Sequence, residues 1–561
     1  MTAGSSNTTG RRPLILHPLL LAMYVVLAPL AENIDIVGRL AVRSMVIALV
    51  SVTLLLVVLR IVVRDALKVG LVTSGAIILF ASYGHASRVL ETAVLLPGWA
   101  KGVLLAVWLG SMGAWAFWVL KRSRSLAVWN GYANTVAVIL LAFPLIRILT
   151  YTRSTPVLRA HVGEYRSQFA SKEGLADLVT SSTSPTPTPD IYYVILDAYG
   201  RGDILSDVYQ FDNAVFLEAL AQRGFYVPDR SCSNYPETVP SLASSLNMAQ
   251  IRDAPEALRP WVDTDQEEIL RDAYGLLIQQ NLVAEFLRAH NYEWVVFDSG
   301  YDRTSVSSAD VFDRAPGVPS FDAGSAFEMM VLDTTLWQAY LDLRGQDYIP
   351  FQNAFDHHRA RVRYAATHLS DYADRPGPQF IFAHIISPHT PYVFDRNGEP
   401  VAETDPFTLL DQFAITEWDP APYLDQVTFI SSLILHEVDE ILAKSDTDPI
   451  IVLQADHGSR VGTQPNPAPE TLQRLLYPTF AAYHFPPGRS EWNPYPTMTP
   501  VNLFRVLLNR YFGTELALLP DENLRLMHRN GHLVIEEACL SLGGCGVTES
   551  GAPTVGLPTC R

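Results

Sequence analysis

The sequence predicts two parts: an N-terminal α-helical membrane domain of about five transmembrane helices, then an α/β domain with a mostly parallel central sheet. Three observations predict this. Charge is split between the two parts, five apolar stretches crowd the first 150 residues, and short apolar runs alternate with amphipathic stretches after residue 190.

The chain has 561 residues with 41 basic and 58 acidic side chains, a net charge of −17. Its mean hydropathy is +0.13. The first 170 residues hold 16 Lys and Arg against 5 Asp and Glu, a net of +11, which leaves −28 on the remainder. Such asymmetry places the two regions in different surroundings and excludes a single soluble globule. The acidic balance also excludes nucleic acid as a partner, because that needs a basic footprint. Four cysteines, Cys232, Cys539, Cys545 and Cys560, are too few for a disulfide scaffold and wrongly spaced for a structural zinc cluster. Cys539 and Cys545 flank a Leu-Ser-Leu-Gly-Gly turn that a disulfide can close in an oxidising compartment.

The apolar stretches are 13–31, 41–63, 69–83, 102–120 and 126–149, the third being the shortest. A helix needs about 20 apolar residues to cross a bilayer. Soluble helices carry a polar stripe, and these show almost none. The first stretch is long for a signal peptide and lacks an Ala-x-Ala site. Arg11, Arg12, Arg60, Arg64, Lys68, Lys121, Arg122 and Arg124 flank alternate helix ends, against Arg39, Arg43, Arg88 and Lys101 on the other side. This bias puts the N-terminus inside and, after five crossings, the C-terminal region outside the plasma membrane. Arg147, Arg153, Arg159 and Arg166 follow the fifth helix and suit anionic headgroups. Trp99, Trp118 and Trp129 read as interfacial anchors, Trp108 and Trp115 as packing residues. Ionisable residues such as His17, Arg43 and Arg147 sit near helix ends, which fits an anchor rather than an ion path.

We read 1–150 as the membrane domain and 151–190 as a juxtamembrane segment and linker. Residues 181–190 form a Ser/Thr/Pro run with no large apolar side chain, the composition of an extended linker. Strands are expected at 191–196, 293–297, 380–386, 450–453 and 479–483, and helices at 211–223, 267–290, 354–372 and 423–444. Thr499 as N-cap with Pro500 at the first helical position opens a helix over 501–511. The alternation implies a parallel sheet covered by helices over 191–515. The tail, 516–561, carries no readable chemistry.

Ligands of open α/β sheets bind beyond the carboxyl ends of the strands. There the sequence places Asp197, then His384 and His389, then Asp456-His457-Gly458. Alone, an Asp after a strand is often a helix cap, and a single His is often a satisfied core or surface residue. Two carboxylates and three imidazoles at one edge suit a divalent cation: Mn2+, Zn2+ or Ca2+. Thr238 lies in Thr-Val-Pro-Ser, ahead of a stretch that can open a helix. Ser/Thr/Pro runs also serve as caps and turns. A hydroxyl at a helix N-terminus beside a cation loses its proton readily, and the helix dipole favours a phosphate or sulfate there.

Leu-Asp197, Thr238-Val-Pro-Ser, Pro-His389-Thr-Pro and Asp456-His457-Gly458 together resemble the sulfatase-like branch of the alkaline phosphatase superfamily. With the membrane helices, the chain looks most like the lipoteichoic acid synthases, then the membrane-anchored phosphoethanolamine transferases. The resemblance implies one divalent metal ion held by Asp197, Thr238, Asp456 and His457. It makes Thr238 the nucleophile and His389 the residue that binds the transferred group or assists the leaving group. His384 matches no family residue and is read either as a support behind the metal ligands or as a substrate contact. Two departures matter. Threonine cannot be oxidised to formylglycine, and Leu242 replaces the arginine of the sulfatase signature, so the formylglycine route is not expected. A second full metal set is not expected either; His357, His358, His436 and His484 read as surface or core.

The resemblance therefore implies an extracytoplasmic, metal-dependent enzyme that transfers or hydrolyses a phospho-headgroup. Its donor would be a phospholipid, its acceptor an envelope glycan, a lipid or water. The alternatives are a sulfate or phosphate ester hydrolase, and a non-catalytic module that binds cell-envelope polymers.

Overall fold

The computed structural model describes residues 14–32, 41–93, 99–122, 125–172, 189–251, 267–318, 327–328, 331–344, 353–402, 409, 419–461, 469–488, 490–529 and 532–537. The chain divides into two units. The first is Met1–Thr155 with Ala323–Phe351 and Thr404–Pro406; the second is Pro156–Asp322, Gln352–Glu403 and Phe407–Arg561. Residues 181–188 of the Ser/Thr/Pro run and the Cys539 and Cys545 turn lie outside the described residues.

The first unit contains α1 (His17–Glu32), α2 (Ala41–Val62), α3 (Ala66–Ala93), α4 (Trp99–Lys121) and the start of α5 (Ala127–Lys172). Four of these, α2 to α5, are long and apolar enough to cross a membrane. The expectation that the third stretch is the short one is corrected. Helix α3 has 28 residues, because Gly84, His85, Ala86 and Ser87 continue it past the apolar run, whereas α1 has 16. Val46, Val50, Leu54, Val57 and Ile61 lie exposed along α2. Water would penalise such a row, and lipid would not. Between the helices the contacts are polar or close. His17 meets Ser74 through Nδ1 (2.5 Å) and Asn130 through Nε2 (3.0 Å), while Asn134 Oδ1 accepts from the Leu16 and His17 amides that open α1. The indoles of Trp108 and Trp115 donate to the Leu79 and Leu71 carbonyls of α3, bearing out their reading as packing residues. A Cβ on Gly75 would lie 2.0 Å from the Trp115 ring, so α3 and α4 approach through a small residue.

This unit also takes in a distant segment. Phe327 and Val331 cluster with Val26, Leu30 and Ala41, and Glu328 pairs with Arg43. The Gly84 amide donates to the Thr334 carbonyl (3.0 Å), and the Leu336 amide to Phe80 (2.7 Å).

The second unit is built on a six-stranded sheet of order β3-β2-β4-β1-β5-β6. The strands are β1 (Ile191–Leu196), β2 (Glu293–Phe297), β3 (Val311–Asp313), β4 (Gln379–Ile385), β5 (Ile450–Gln454) and β6 (Ala481–His484). All neighbours pair in parallel except β5 with β6, which is antiparallel. Buried on both faces, β1 reads as an unbroken apolar run. Tyr193 of β1 stacks on Phe382 of β4 (5.7 Å) and meets Phe504 edge-on (5.1 Å). Three helices matter for the site: α6 (Thr238–Asn247), α7 (Ala421–Lys444) and α8 (Pro500–Phe512).

The differences from expectation are local. The stretch 267–290 is two helices, Glu267–Gln279 and Leu282–Ala289, because the Asn281 side chain accepts from the Ala284 amide and starts a new one. The helix expected over 354–372 ends at Ala365, and Leu369–Tyr372 is a separate 3-10 turn. Thr499 precedes α8 as foreseen, yet its hydroxyl donates to Asp521 rather than capping the helix. Strand β3 and the hairpin β7 (Leu524–Arg529) with β8 (His532–Glu537) were not foreseen.

Candidate active site

Three adjacent parallel strands, β4, β1 and β5, end together at one edge of the sheet. In register, Ile195 of β1 faces His384 of β4 on one side and Gln454 of β5 on the other. Asp197 therefore emerges just beyond β1, and Asp456 and His457 just beyond β5, beside His384. The Asp197 amide donates to Ile385 (3.0 Å) and its carbonyl accepts from His389 (3.1 Å), which draws the His389 loop to the same edge. Ala198 adopts a left-handed φ of 62°, held by Tyr423, which donates to its carbonyl (3.0 Å). Strain of this kind concentrates at functional sites.

Helix α6 brings Thr238. Glu237 precedes it in an extended conformation and contributes no side-chain cap. Pro240 has no N–H to donate, so the first turn presents the amides of Thr238 and Val239. Thr238 Oγ1 lies 3.3 Å from His457 Nε2. Leu242, which stands where the sulfatase signature has arginine, is fully buried in the core.

Every residue named in advance for this site is present at it. His384 Nε2 is 3.2 Å from Asp197 Oδ2 and 4.0 Å from Asp456 Oδ2. His457 Nε2 is 3.5 Å from Asp197 Oδ1 and 3.8 Å from Asp456 Oδ2. Two triads, Asp197/His389/His457 and Asp197/His384/Asp456, each offer ligand atoms within 4.8 Å of one another. All five side chains are buried, and Asp197 Oδ1, Asp456 Oδ2 and His384 Nε2 make no hydrogen bond. A buried carboxylate oxygen left so is costly, and a cation is what offsets that cost. The donor set fits a divalent ion.

Electrostatics follow from the crowding. Burial acts most strongly on Asp197 and would raise it, but the imidazoles of His389, His384 and His457 hold it below the usual carboxylate range. Asp456 is pushed up, first by burial and then by the charge of Asp197. The Nδ1 of His457 faces the Gly458 carbonyl (2.8 Å) and that of His389 the Thr390 carbonyl (2.6 Å). Carbonyls only accept, so each Nδ1 carries the proton and each Nε2 keeps its lone pair. His389 and Tyr392 on one side and His457, Ser459 and Arg460 on the other line a pocket at this edge.

Of the histidines set aside, His484 bonds the Pro449 carbonyl away from this edge. His358 is buried close enough to feel Asp197 and His389. Burial first, then Arg361 and His389, push its imidazole down to about 3. Two groups were not foreseen: Thr304, whose hydroxyl is 2.9 Å from His384 Nδ1, and Arg460. Arg460 follows Asp456-His457-Gly458-Ser459 directly, a signal the sequence did hold.

A family profile described as Sulfatase matches residues 189–504. No curated protein matches the chain. Among solved structures, the C-terminal periplasmic domain of EcEptC from Escherichia coli is similar at 12% identity and a TM-score of 0.36, covering 63% of this chain and 92% of that one. The lipoteichoic acid synthase LtaP from Listeria monocytogenes gives 10% and 0.35, covering 63% and 83%. The phosphonate monoester hydrolase of Agrobacterium radiobacter gives 14% and 0.32, covering 60% and 75%. Similarity this distant says nothing of substrate.

Proposed function

The chain belongs to the sulfatase family, and from that premise we propose that it is a membrane-anchored, metal-dependent enzyme acting on a phospho-headgroup through Thr238. The observation that carries this reading is the placement of Thr238 Oγ1, 3.3 Å from His457 Nε2, at a helix N-terminus facing two buried carboxylates.

Asp197, Thr238, Asp456 and His457 would hold one divalent cation, Mn2+, Zn2+ or Ca2+. When bound, it would lower the pKa of the Thr238 hydroxyl and offset charge on the phosphoryl oxygens. The chain's own residues do the rest. Thr238 Oγ1, its proton released to water, forms a bond to phosphorus, and the ester bond to a diacylglycerol-like alcohol breaks. His389, at the pocket wall, takes up a proton from water on Nε2, gives it to the departing oxygen and recovers one from the acceptor hydroxyl. That acceptor, an envelope glycan, a lipid or water, then displaces Thr238. The Thr238 and Val239 amides bind the non-bridging oxygens.

The membrane helices suit a lipid donor, since tethering raises its effective concentration. With α1, about 24 Å long, taken as a fifth crossing, the charge bias supports a domain outside the plasma membrane.

The test uses the full-length protein with labelled phosphatidylglycerol and phosphatidylethanolamine. Diacylglycerol release, a phosphorylated Thr238 peptide by mass spectrometry, and loss of both in Thr238→Ala are expected. Thr238→Ser should retain activity. Release without added acceptor would mark a hydrolase. Full activity in Thr238→Ala would overturn the mechanism, and no turnover of either lipid would count against a lipid donor.

A further inference from the structure

The geometry points to His384 as an additional nitrogen donor to the cation, with Thr304 as the positioning residue that sets its ring; this rests on the metal reading above. His384 is 2% exposed, on the central sheet, with Nε2 between the two carboxylates and no hydrogen bond of its own. Its Nε2, an Asp197 oxygen and an Asp456 oxygen lie within 4.8 Å of one another. Donors at about 2.0–2.3 Å from one tetrahedral ion stand about 3.3–3.8 Å apart, inside that limit.

The opposite face of the ring decides between a donor and a buried cationic partner for the aspartates. Nδ1 meets Thr304 Oγ1 at 2.9 Å. Thr304 in turn reaches Ser299 Oγ (2.8 Å), Ser299 reaches Ser305 Oγ (3.1 Å), and Ser305 donates to Asp298 Oδ1 (2.8 Å). Asp298 is itself buried and accepts from the Gly300 amide (3.1 Å). A carboxylate only accepts, so every hydroxyl in the chain can donate onward toward Asp298. Thr304 is then the acceptor for Nδ1–H, and the lone pair is left on Nε2. His389 and His457 reach the same tautomer through backbone carbonyls. Three imidazoles at one edge thus share one arrangement, with the proton on the outer nitrogen and the lone pair on the inner one. Outer partners of this kind fix ligand rings and tune metal affinity about 10–100-fold.

The experiment uses full-length protein purified in detergent, stripped and reloaded with Co2+. The readouts are Co2+ affinity by chelator competition and the visible absorption of the bound ion, with metal-free thermal unfolding as the check on folding. His384→Gln should weaken Co2+ binding at least about tenfold and alter the spectrum. Thr304→Val should weaken it about tenfold, and Thr304→Ser should restore it. If His384→Gln does not fold, the Thr304 pair carries the test. Unchanged affinity and spectrum in the folded variants, with Co2+ held by the parent, would overturn the role of His384 and leave the metal reading standing. A parent protein that binds no Co2+ would remove the metal reading itself.

Discussion

Ser241, one turn into α6, donates its hydroxyl to the backbone carbonyl of Asp456 at 2.8 Å. The helix that presents Thr238 is thereby fastened to the loop that presents Asp456 and His457. Both groups are buried, so Ser241→Ala leaves a carbonyl unsatisfied at a cost of about 1 kcal/mol. Thermal unfolding should register that modest loss. Turnover of a phosphodiester substrate should fall further than the stability loss explains, because the distance between Thr238 and His457 is no longer pinned.

Gly458 allows no side chain. A Cβ there would lie 2.0 Å from the Leu475 carbonyl oxygen, which is backbone and cannot swing aside. Gly458→Ala must shift the turn after His457, at about 1–3 kcal/mol. We expect a lower melting temperature together with loss of retained metal, read by elemental analysis.

Arg505 of α8 is among the largest fully buried side chains. Its Nε and Nη2 donate to the carbonyl of Met248 (2.9 and 2.7 Å), the residue with φ of 55° that ends α6. Arg505→Met keeps the volume and removes the charge-assisted bonds. It should destabilise the protein by about 2 kcal/mol or more in denaturant unfolding.

Asp190 predicts a pH dependence. Burial pushes its carboxyl up to about 7 although it accepts from the Gln379 amide. The folded chain therefore keeps a proton that the unfolded chain releases above about 3.8. Its contribution to stability is fully present below that value and is lost as pH rises through about 7. Asp190→Asn keeps the acceptor and removes the titration. Melting temperatures at about pH 5 and about pH 8 should converge in this variant relative to the parent.

What the sequence made legible follows from where the chain is buried. Strand β1 is covered on both faces, so its six apolar residues announced it, whereas β3, at three residues, is too short to leave a pattern. Asp197 and Asp456 were readable because they close apolar runs, and strand ends are where such sheets bind ligands. Asn281 carried a cap signal inside a longer helical pattern, and the pattern masked it. His384 could be located but not given a role, since its neighbours are set by register with β1. Thr304 could not be found at all. It meets His384 across 80 residues of sequence, through a fold that no local pattern encodes.

The segment around Phe327 to Leu336 has a bearing on how the protein is made. The amides of Gly84 and Leu336 close their bonds across some 250 positions of chain, and Arg43 waits for Glu328. A ribosome delivers the five apolar helices long before these partners emerge. The helical unit therefore stays unfinished while the first strands of the sheet are being synthesised, and these contacts form only once residue 336 has left the exit tunnel.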